Sequence, residues 1–207
     1  MFALVDKSDN SITRMLNGNK GITIGDNQYP RAIFSLWTEA ERNAINIYAV
    51  TINTSKLKDE QWYINTNITY AFDGTNATGS YGDATAKAHA DTTWTQEQID
   101  DGKAPDGADT NTVATRGLKY NLIQTVKAQA AGELAKTDWY ITRKTEKSTA
   151  IPSASTTHRD LVRSRQAAME TAITNASDTP ALETLYTYTK DSDGVVSRPL
   201  AEIPTLD

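Results

Sequence analysis

Residues 118–134, LKYNLIQTVKAQAAGEL, decide how the second half of the chain folds. Apolar side chains recur in this stretch every four residues, at Leu118, Leu122, Val126, Ala130 and Leu134. A spacing close to 3.6 residues places these side chains on one face of a helix. The stretch therefore predicts an amphipathic helix whose apolar stripe packs against other elements.

Two further helices are predicted downstream. The first runs from about Thr157 to Ala176, and its inward positions are Leu161, Val162, Ala168, Met169, Ala172 and Ile173. The second begins at Thr179, which we expect to cap it, with Pro180 at the first helical position. Residues 137–155, TDWYITRKTEKSTAIPSAS, lie between the first two helices and are predicted to be partly extended and partly loop.

Upstream of the helices, residues 91–112 read DTTWTQEQIDDGKAPDGADTNT and concentrate Asp, Gly, Pro and Thr. This composition is typical of a loop, with a brief helical turn from Thr95 to Ile99. We expect this segment to be a polar linker between a β-rich domain, residues 1–90, and a mainly helical domain, residues 113–207.

The first 90 residues are rich in the β-branched and aromatic residues that favour strands. Five strand segments are predicted: FALVD, SITRML, GITIG, NIYAVTI and WYINTNITYAF. Residues 17–21, NGNKG, predict a hairpin turn between the second and third segments. Thr38 followed by Glu41 predicts a capping box at the start of one short helix. The predicted fold class is α+β, with an N-terminal β-rich region carrying one short helix and a C-terminal helical region.

The composition of the chain limits the kinds of partner it can bind. The 207-residue chain carries a net charge of −5, which argues against a nucleic-acid partner, because phosphate binding needs a basic face. The charge is uneven, at −6 over residues 1–110 and +1 over residues 111–207. No apolar run approaches the roughly 20 residues of a membrane span. There is no cysteine, which excludes disulfides and thiolate chemistry.

No motif in the sequence predicts a catalytic, metal or cofactor site. His89 and His158 are distant in sequence, whereas a zinc site needs three or four ligands. Asp191 to Gly194 resembles the opening of a calcium loop but lacks the later ligands, which favours a plain turn. Asp100 and Asp101 have no apolar surroundings that would shift a pKa, so we interpret them as solvated charges. We therefore expect a protein that is not an enzyme.

Two aromatic pairs and a basic cluster are the candidate partner-binding residues. Trp62–Tyr63 and Trp139–Tyr140 would each place one ring inward and one outward if they lie in strands. The outward rings are candidates for protein contacts or for stacking on a host surface glycan. The basic cluster, which is either a solvated helix face or a binding site for an acidic neighbour such as another copy of the chain, comprises Arg143, Lys144, Lys147, Arg159, Arg163 and Arg165.

Residues 117–173 resemble a recurrent C-terminal module of tail-associated proteins of tailed bacteriophages. The shared pattern is a helix, then L-x-x-T-D-W-Y at residues 134–140 with Arg143, then Ile151–Pro152, then Arg159 and Arg163. Residues 18–50 and the closing RPLAEIPTLD are similar to structural proteins of marine phages. Together these stretches cover most of the chain, and no catalytic signature is among them.

The resemblance implies a structural component of a phage virion tail, in the tail, baseplate or fibre attachment. Such a protein is made in the host cytoplasm and binds other phage structural proteins and copies of itself. Two alternatives remain open at this point. One is a tail or tail-fibre assembly chaperone that is absent from the mature particle, and the other is a receptor-binding tail module that stacks host glycans.

Overall fold

The structure, a computed structural model, describes residues 1–206 and divides into two compact units. The first unit comprises Met1–Thr85, and the second begins at Ala86. The predicted α+β class, strand-rich at the N-terminus and helical at the C-terminus, is confirmed. The polar segment 91–112 differs from its prediction as a linker, because it lies inside the second unit and contains a helix and a strand, Thr92–Thr93, that pairs with Val113–Thr115.

The first unit contains short strands and two short helices. In chain order these are β1 Phe2–Asp6, β2 Ser11–Leu16, β3 Ile22–Ile24, β4 Asn27–Tyr29, α1 Ile33–Leu36, α2 Glu39–Ala44, β5 Ile47–Asn53, β6 Tyr63–Ile64, β7 Thr69–Phe72 and β8 Ala77–Ser80, with β9 Thr85–Ala86 at the boundary. The capping box of α2 is confirmed, since Glu41 N–H donates to Thr38 Oγ1 while Thr38 N–H donates to the Glu41 carboxylate. The helix α1 was not predicted.

Five strands form the main sheet, in the order β2-β1-β5-β8-β7. The β5 strand joins its two halves, because residues 47–49 pair antiparallel with β1 and residues 50–53 pair parallel with β8. The sheet curls, and Cα atoms of its edge strands β2 and β7 come within 8 Å of one another. Alternate residues of β1 then serve two cores: Ala3 and Val5 pack with Tyr48 and Phe72, while Phe2 and Leu4 pack on the other side.

The predicted hairpin at residues 17–21 is wrong. β2 pairs with β1, and β3 pairs with β4, so these residues connect two separate sheets. Gly18 does adopt the positive φ that the Asn-Gly sequence favours, at +69°. The sequence therefore located a change of chain direction, but local turn chemistry does not determine which strands pair across it.

The second unit is mainly helical. Its elements are β10 Thr92–Thr93, α3 Gln96–Asp100, β11 Val113–Thr115, α4 Leu118–Ala135, α5 Asp138–Lys147, α6 Ser153–Asn175, α7 Thr179–Tyr186, β12 Thr189–Lys190 and β13 Val196–Ser197. The predicted helical turn after Thr95 is confirmed as α3, with Thr95 as its cap. Over the residues that the structure describes, no helix has both the length and the apolar character needed to cross a membrane.

Helices α4 and α6 pack against each other and supply the core of this unit. The predicted stripe of α4 is confirmed at Val126 and Ala130, which are buried. On α6, Val162, Met169 and Ile173 are buried as expected. Leu161, however, is 44% exposed, because it lies about 100° around the helix from Val162.

Three local predictions in this unit need correction. Residues 138–147 form the helix α5 and are not extended. α6 begins at Ser153, four residues before the predicted start. α7 is capped by Asp178, which accepts a hydrogen bond from Ala181 N–H at 2.8 Å. Thr179 is buried instead, and its hydroxyl donates to the Lys87 carbonyl at 2.6 Å.

Candidate interaction surface

Arg159 fixes the corner between α4 and α5. Its Nη1 donates to the Leu134 carbonyl and the Thr137 hydroxyl, both at 2.7 Å, and to the Asp138 carboxylate at 2.8 Å. The residue is only 7% exposed, and Thr137 is fully buried. The guanidinium thus binds a backbone carbonyl of the last turn of α4 and a side-chain carboxylate of the first turn of α5.

This arrangement corrects the prediction of Arg159 as a partner-binding residue. The residue stabilises the second unit from within, and a partner has no access to its guanidinium. Residue type and helical spacing do not indicate this burial, because it depends on the contact between α6 and the corner where α4 ends and α5 begins.

Trp139, Tyr140 and Arg143 form one cluster on α5. The two rings stack with their centroids 3.8 Å apart and their planes at 28°. The Arg143 guanidinium carbon lies 4.8 Å from the Trp139 centroid and 5.0 Å from that of Tyr140, within the range of a cation–π contact. We call this group the aromatic platform.

The platform also corrects a prediction, since Trp139 and Tyr140 lie on a helix and not on opposite faces of a strand. The spacing of Trp139 and Arg143, four residues apart, is the signal that indicates a helix here. Both rings therefore share one side of α5, and Trp139 is 51% exposed.

α5 contributes no fully buried residue to the core. None of its ten described residues is buried, although amphipathic helices of globular proteins usually bury an apolar stripe. Ile141 is 42% exposed in addition to Trp139. The Nε of Arg143 is buried beside the rings and has no hydrogen-bond partner among the described residues. Sequence reasoning missed Ile141, because it treated this segment as partly extended.

The pair Trp62–Tyr63 behaves differently from Trp139–Tyr140. Trp62 is 3% exposed, so its side chain is buried. The backbone N–H groups of both residues donate to the Asp59 carbonyl at 3.0 Å, which holds the pair in a turn before β6. Trp62 is therefore not a surface contact, and Tyr63 is only partly exposed, with Lys58 Nζ 5.7 Å from its ring centroid.

Arg163 is the remaining predicted contact residue, and it is exposed. Its Nη1 lies 3.3 Å from the Asp160 carboxylate, three residues before it on α6. It borders an open depression along α6 that extends to Asn175. A surface pair of this kind contributes little to stability, so Arg163 stays available to a partner.

A second charged region lies where α4 begins. Asp91 accepts hydrogen bonds from Gly117 N–H at 2.8 Å and from Arg116 Nη1 at 2.6 Å. These bonds, the Gly117 N–H first, hold the pKa of Asp91 below its ordinary value. Only glycine fits at position 117, because a Cβ there would lie 2.3 Å from the Ala90 carbonyl. Both ends of the polar segment 91–112 are therefore held near the start of α4, by Asp91 and by the pairing of β10 with β11.

The residues that in sequence resemble parts of a calcium or zinc site form turns and local contacts. Asp191 Oδ1 accepts hydrogen bonds from the backbone N–H groups of Asp193 and Val195, so the predicted plain turn is confirmed as the turn between β12 and β13. His158 Nε2 lies 3.9 Å from a Glu133 carboxylate oxygen. In residues 1–206, no three His, Cys, Asp or Glu side chains come together as metal ligands.

Comparison with protein-family models, with curated proteins and with solved structures found no match for this chain. Its function is therefore inferred from the platform and the charged regions of the helical unit.

Proposed function

We propose that this chain is a non-enzymatic structural component of a phage virion tail and that it works through protein–protein contacts made by α5. The observation that carries the proposal is the aromatic platform, in which Trp139 is 51% exposed, on a helix whose ten described residues include none that is buried. Trp, Tyr and Arg are the residue types that dominate binding energy in protein interfaces. The platform brings one of each together.

The anchoring of α5 also supports this role. Arg159 ties the first turn of α5 to the end of α4, so the platform is held in place before a partner arrives. A surface that is already ordered loses less conformational entropy on binding. The tail context comes from the resemblance of residues 117–173, whose T-D-W-Y segment and Arg143 supply the platform.

A glycan-binding role is less favoured. Sugar stacking needs an open aromatic face, and the Trp139 ring is already stacked by Tyr140 and approached by Arg143. The same stack suits a protein partner, because a protein can cover the outer edges of both rings and pair with the guanidinium.

The proposal is tested by mass spectrometry of gradient-purified particles of the phage that encodes the chain, compared with total infected-cell lysate. We expect the protein in particles at a fixed ratio to the other tail proteins. Abundance in lysate together with absence from particles would falsify the proposal and leave the assembly chaperone in its place.

A matched pair of variants links the result to the platform. Trp139→Ala in the phage genome should deplete the protein from particles. Ile64→Ala, at a 60% exposed apolar position of the first unit, should leave incorporation unchanged. Equal incorporation of both variants would contradict the assignment of α5 as the contact.

A further inference from the structure

The two ends of the helical unit are well separated and can be identified from single contacts. At one end Lys119 Nζ donates to the Thr174 carbonyl at 2.8 Å, so the start of α4 meets the end of α6. At the other end Arg159 binds the Leu134 carbonyl, so the end of α4 meets the start of α6. Arg159 and Thr174 are fifteen residues apart in α6, or about 22 Å of helix.

One of these ends is acidic. Residues 91–112, which we call the acidic end, are anchored at the start of α4 through Asp91 and through the pairing of β10 with β11. They contain six acidic residues and one basic residue, a net charge of −5. All six acidic residues are exposed: Asp91, Glu97, Asp100, Asp101, Asp106 and Asp109.

The opposite end is basic. Residues 136–165, which we call the basic end, run from the end of α4 through α5 into the first half of α6. They contain seven basic and three acidic residues, a net charge of +4. Lys144 and Lys147 are exposed in the last turn of α5; Lys144 directly follows Arg143 of the aromatic platform, and Lys147 lies about one turn beyond Arg143.

We propose that the basic end of one copy binds the acidic end of a second copy, so that copies associate head to tail. This proposal rests on the proposed role of α5 as an interaction surface and names its partner. Each copy carries both complementary charges about 22 Å apart along α6. Opposite charges steer and orient two surfaces, and the platform supplies the apolar contact that such an interface needs at its centre.

Head-to-tail contact has a geometric consequence. The two surfaces of the interface are different, so each bound copy still presents one unoccupied end. Such contacts build a ring when the rotation between copies closes, and otherwise an open filament. A contact of α5 with α5 of another copy would instead stop at a dimer and would bring two basic surfaces together.

The test uses the full-length purified chain and two variants that each disable one end. Lys144→Glu with Lys147→Glu lowers the charge of the basic end from +4 to 0, and Asp100→Lys with Asp106→Lys raises that of the acidic end from −5 to −1. Sedimentation velocity across a concentration series measures association. We expect the wild type to form species larger than dimers, and each variant alone to associate at least about tenfold more weakly.

Mixing the two variants is the decisive step. Each retains one competent end, so an equimolar mixture should form heterodimers and nothing larger. Raising the salt from about 0.1 M to about 1 M should weaken the complexes, because the screening length falls from about 10 Å to about 3 Å. Lys20→Glu with Arg31→Glu, a charge change of the same size on exposed residues of the first unit, is the control and should associate like the wild type.

Head-to-tail association is overturned if the wild type stays monomeric up to its solubility limit, if either variant alone associates like the wild type, or if the mixture yields no heterodimer. Circular dichroism of each variant checks that it folds. The two proposals can fail separately. If the wild type is monomeric but its incorporation into particles still depends on Trp139, head-to-tail association is wrong and the proposed function stands.

Discussion

The same dipeptide, Trp-Tyr, occurs in both units of this protein with opposite outcomes. Trp62 is 3% exposed in the first unit, whereas Trp139 is 51% exposed in the second. Trp62 is buried and lies in a turn before a short strand. Trp139 lies on a helix that buries none of its ten described residues. One pair contributes to folding, and the other is available for binding.

The largest expected effect is on the buried member of this comparison. Trp62→Ala should lower the free energy of unfolding of the protein by about 3–5 kcal/mol, because it removes a large buried side chain and leaves a cavity. Urea unfolding followed by far-UV circular dichroism measures this. A loss below about 1 kcal/mol would mean that Trp62 is not a core residue and that the contrast with Trp139 does not hold.

The next effect concerns the anchor of α5. Arg159→Met removes the donor for the Leu134 carbonyl, the buried Thr137 hydroxyl and Asp138, and should cost about 1–3 kcal/mol. Arg163→Met is the matched control on the same helix, and loss of its exposed pair with Asp160 should cost about 0–1 kcal/mol. Thermal unfolding of the two variants should therefore differ clearly. Equal melting temperatures would contradict the anchoring role.

A smaller effect is expected at the opposite end of the helical unit, and it depends on pH. Because the folded state lowers the pKa of Asp91, its carboxylate contributes stability above the unfolded pKa of about 3.9. That contribution disappears as the pH falls through the lower folded pKa. Asp91→Asn should therefore be less stable than the wild type at about pH 7, and the difference should shrink below about pH 4. A difference that stays constant in urea titrations across this range would contradict the assignment.

The smallest effect on stability is expected at Trp139. Trp139→Ala should change the free energy of unfolding by no more than about 0.5 kcal/mol, as is usual for surface positions. Urea unfolding measures the change, with Trp62→Ala as the comparison. A loss of several kcal/mol would place Trp139 in the fold and not at a binding surface.

The parts of the fold that the sequence predicted correctly depend on short-range pattern. Val126 and Ala130 recur at helical spacing and are buried, and Thr38 with Glu41 forms the predicted capping box. These features involve residues within one element, so a single element's sequence is sufficient to specify them.

The predictions that were wrong concern features that depend on contacts between residues distant in sequence. The chain bends at residues 18–20, but which strands pair on either side of the bend is determined by the whole sheet. Residues 138–147 are rich in aromatic and β-branched types that favour strands, and the helix they form is tied at its start by Arg159, 21 residues from Asp138. The burial of Arg159 follows from the same contact.

The candidate surface was predicted in part for related reasons. Trp139, Tyr140, Arg143 and Arg163 were identified from residue type, and the structure places all four on α5 or α6 of the helical unit. Trp62 and Arg159 were misassigned because exposure is a property of the tertiary structure. The separation of charge toward the two ends of the unit becomes visible only once α4 and α6 are seen to run antiparallel.

The most direct test of α5 as the contact surface is site-specific photo-crosslinking in assembled particles. A photoreactive phenylalanine derivative is placed at Ile141, 42% exposed beside the platform, or at Ile64, 60% exposed in the first unit. We expect crosslinks from position 141 to a second protein chain, with few or none from position 64. Equal crosslinking from both positions, or none from position 141, would contradict the role of α5.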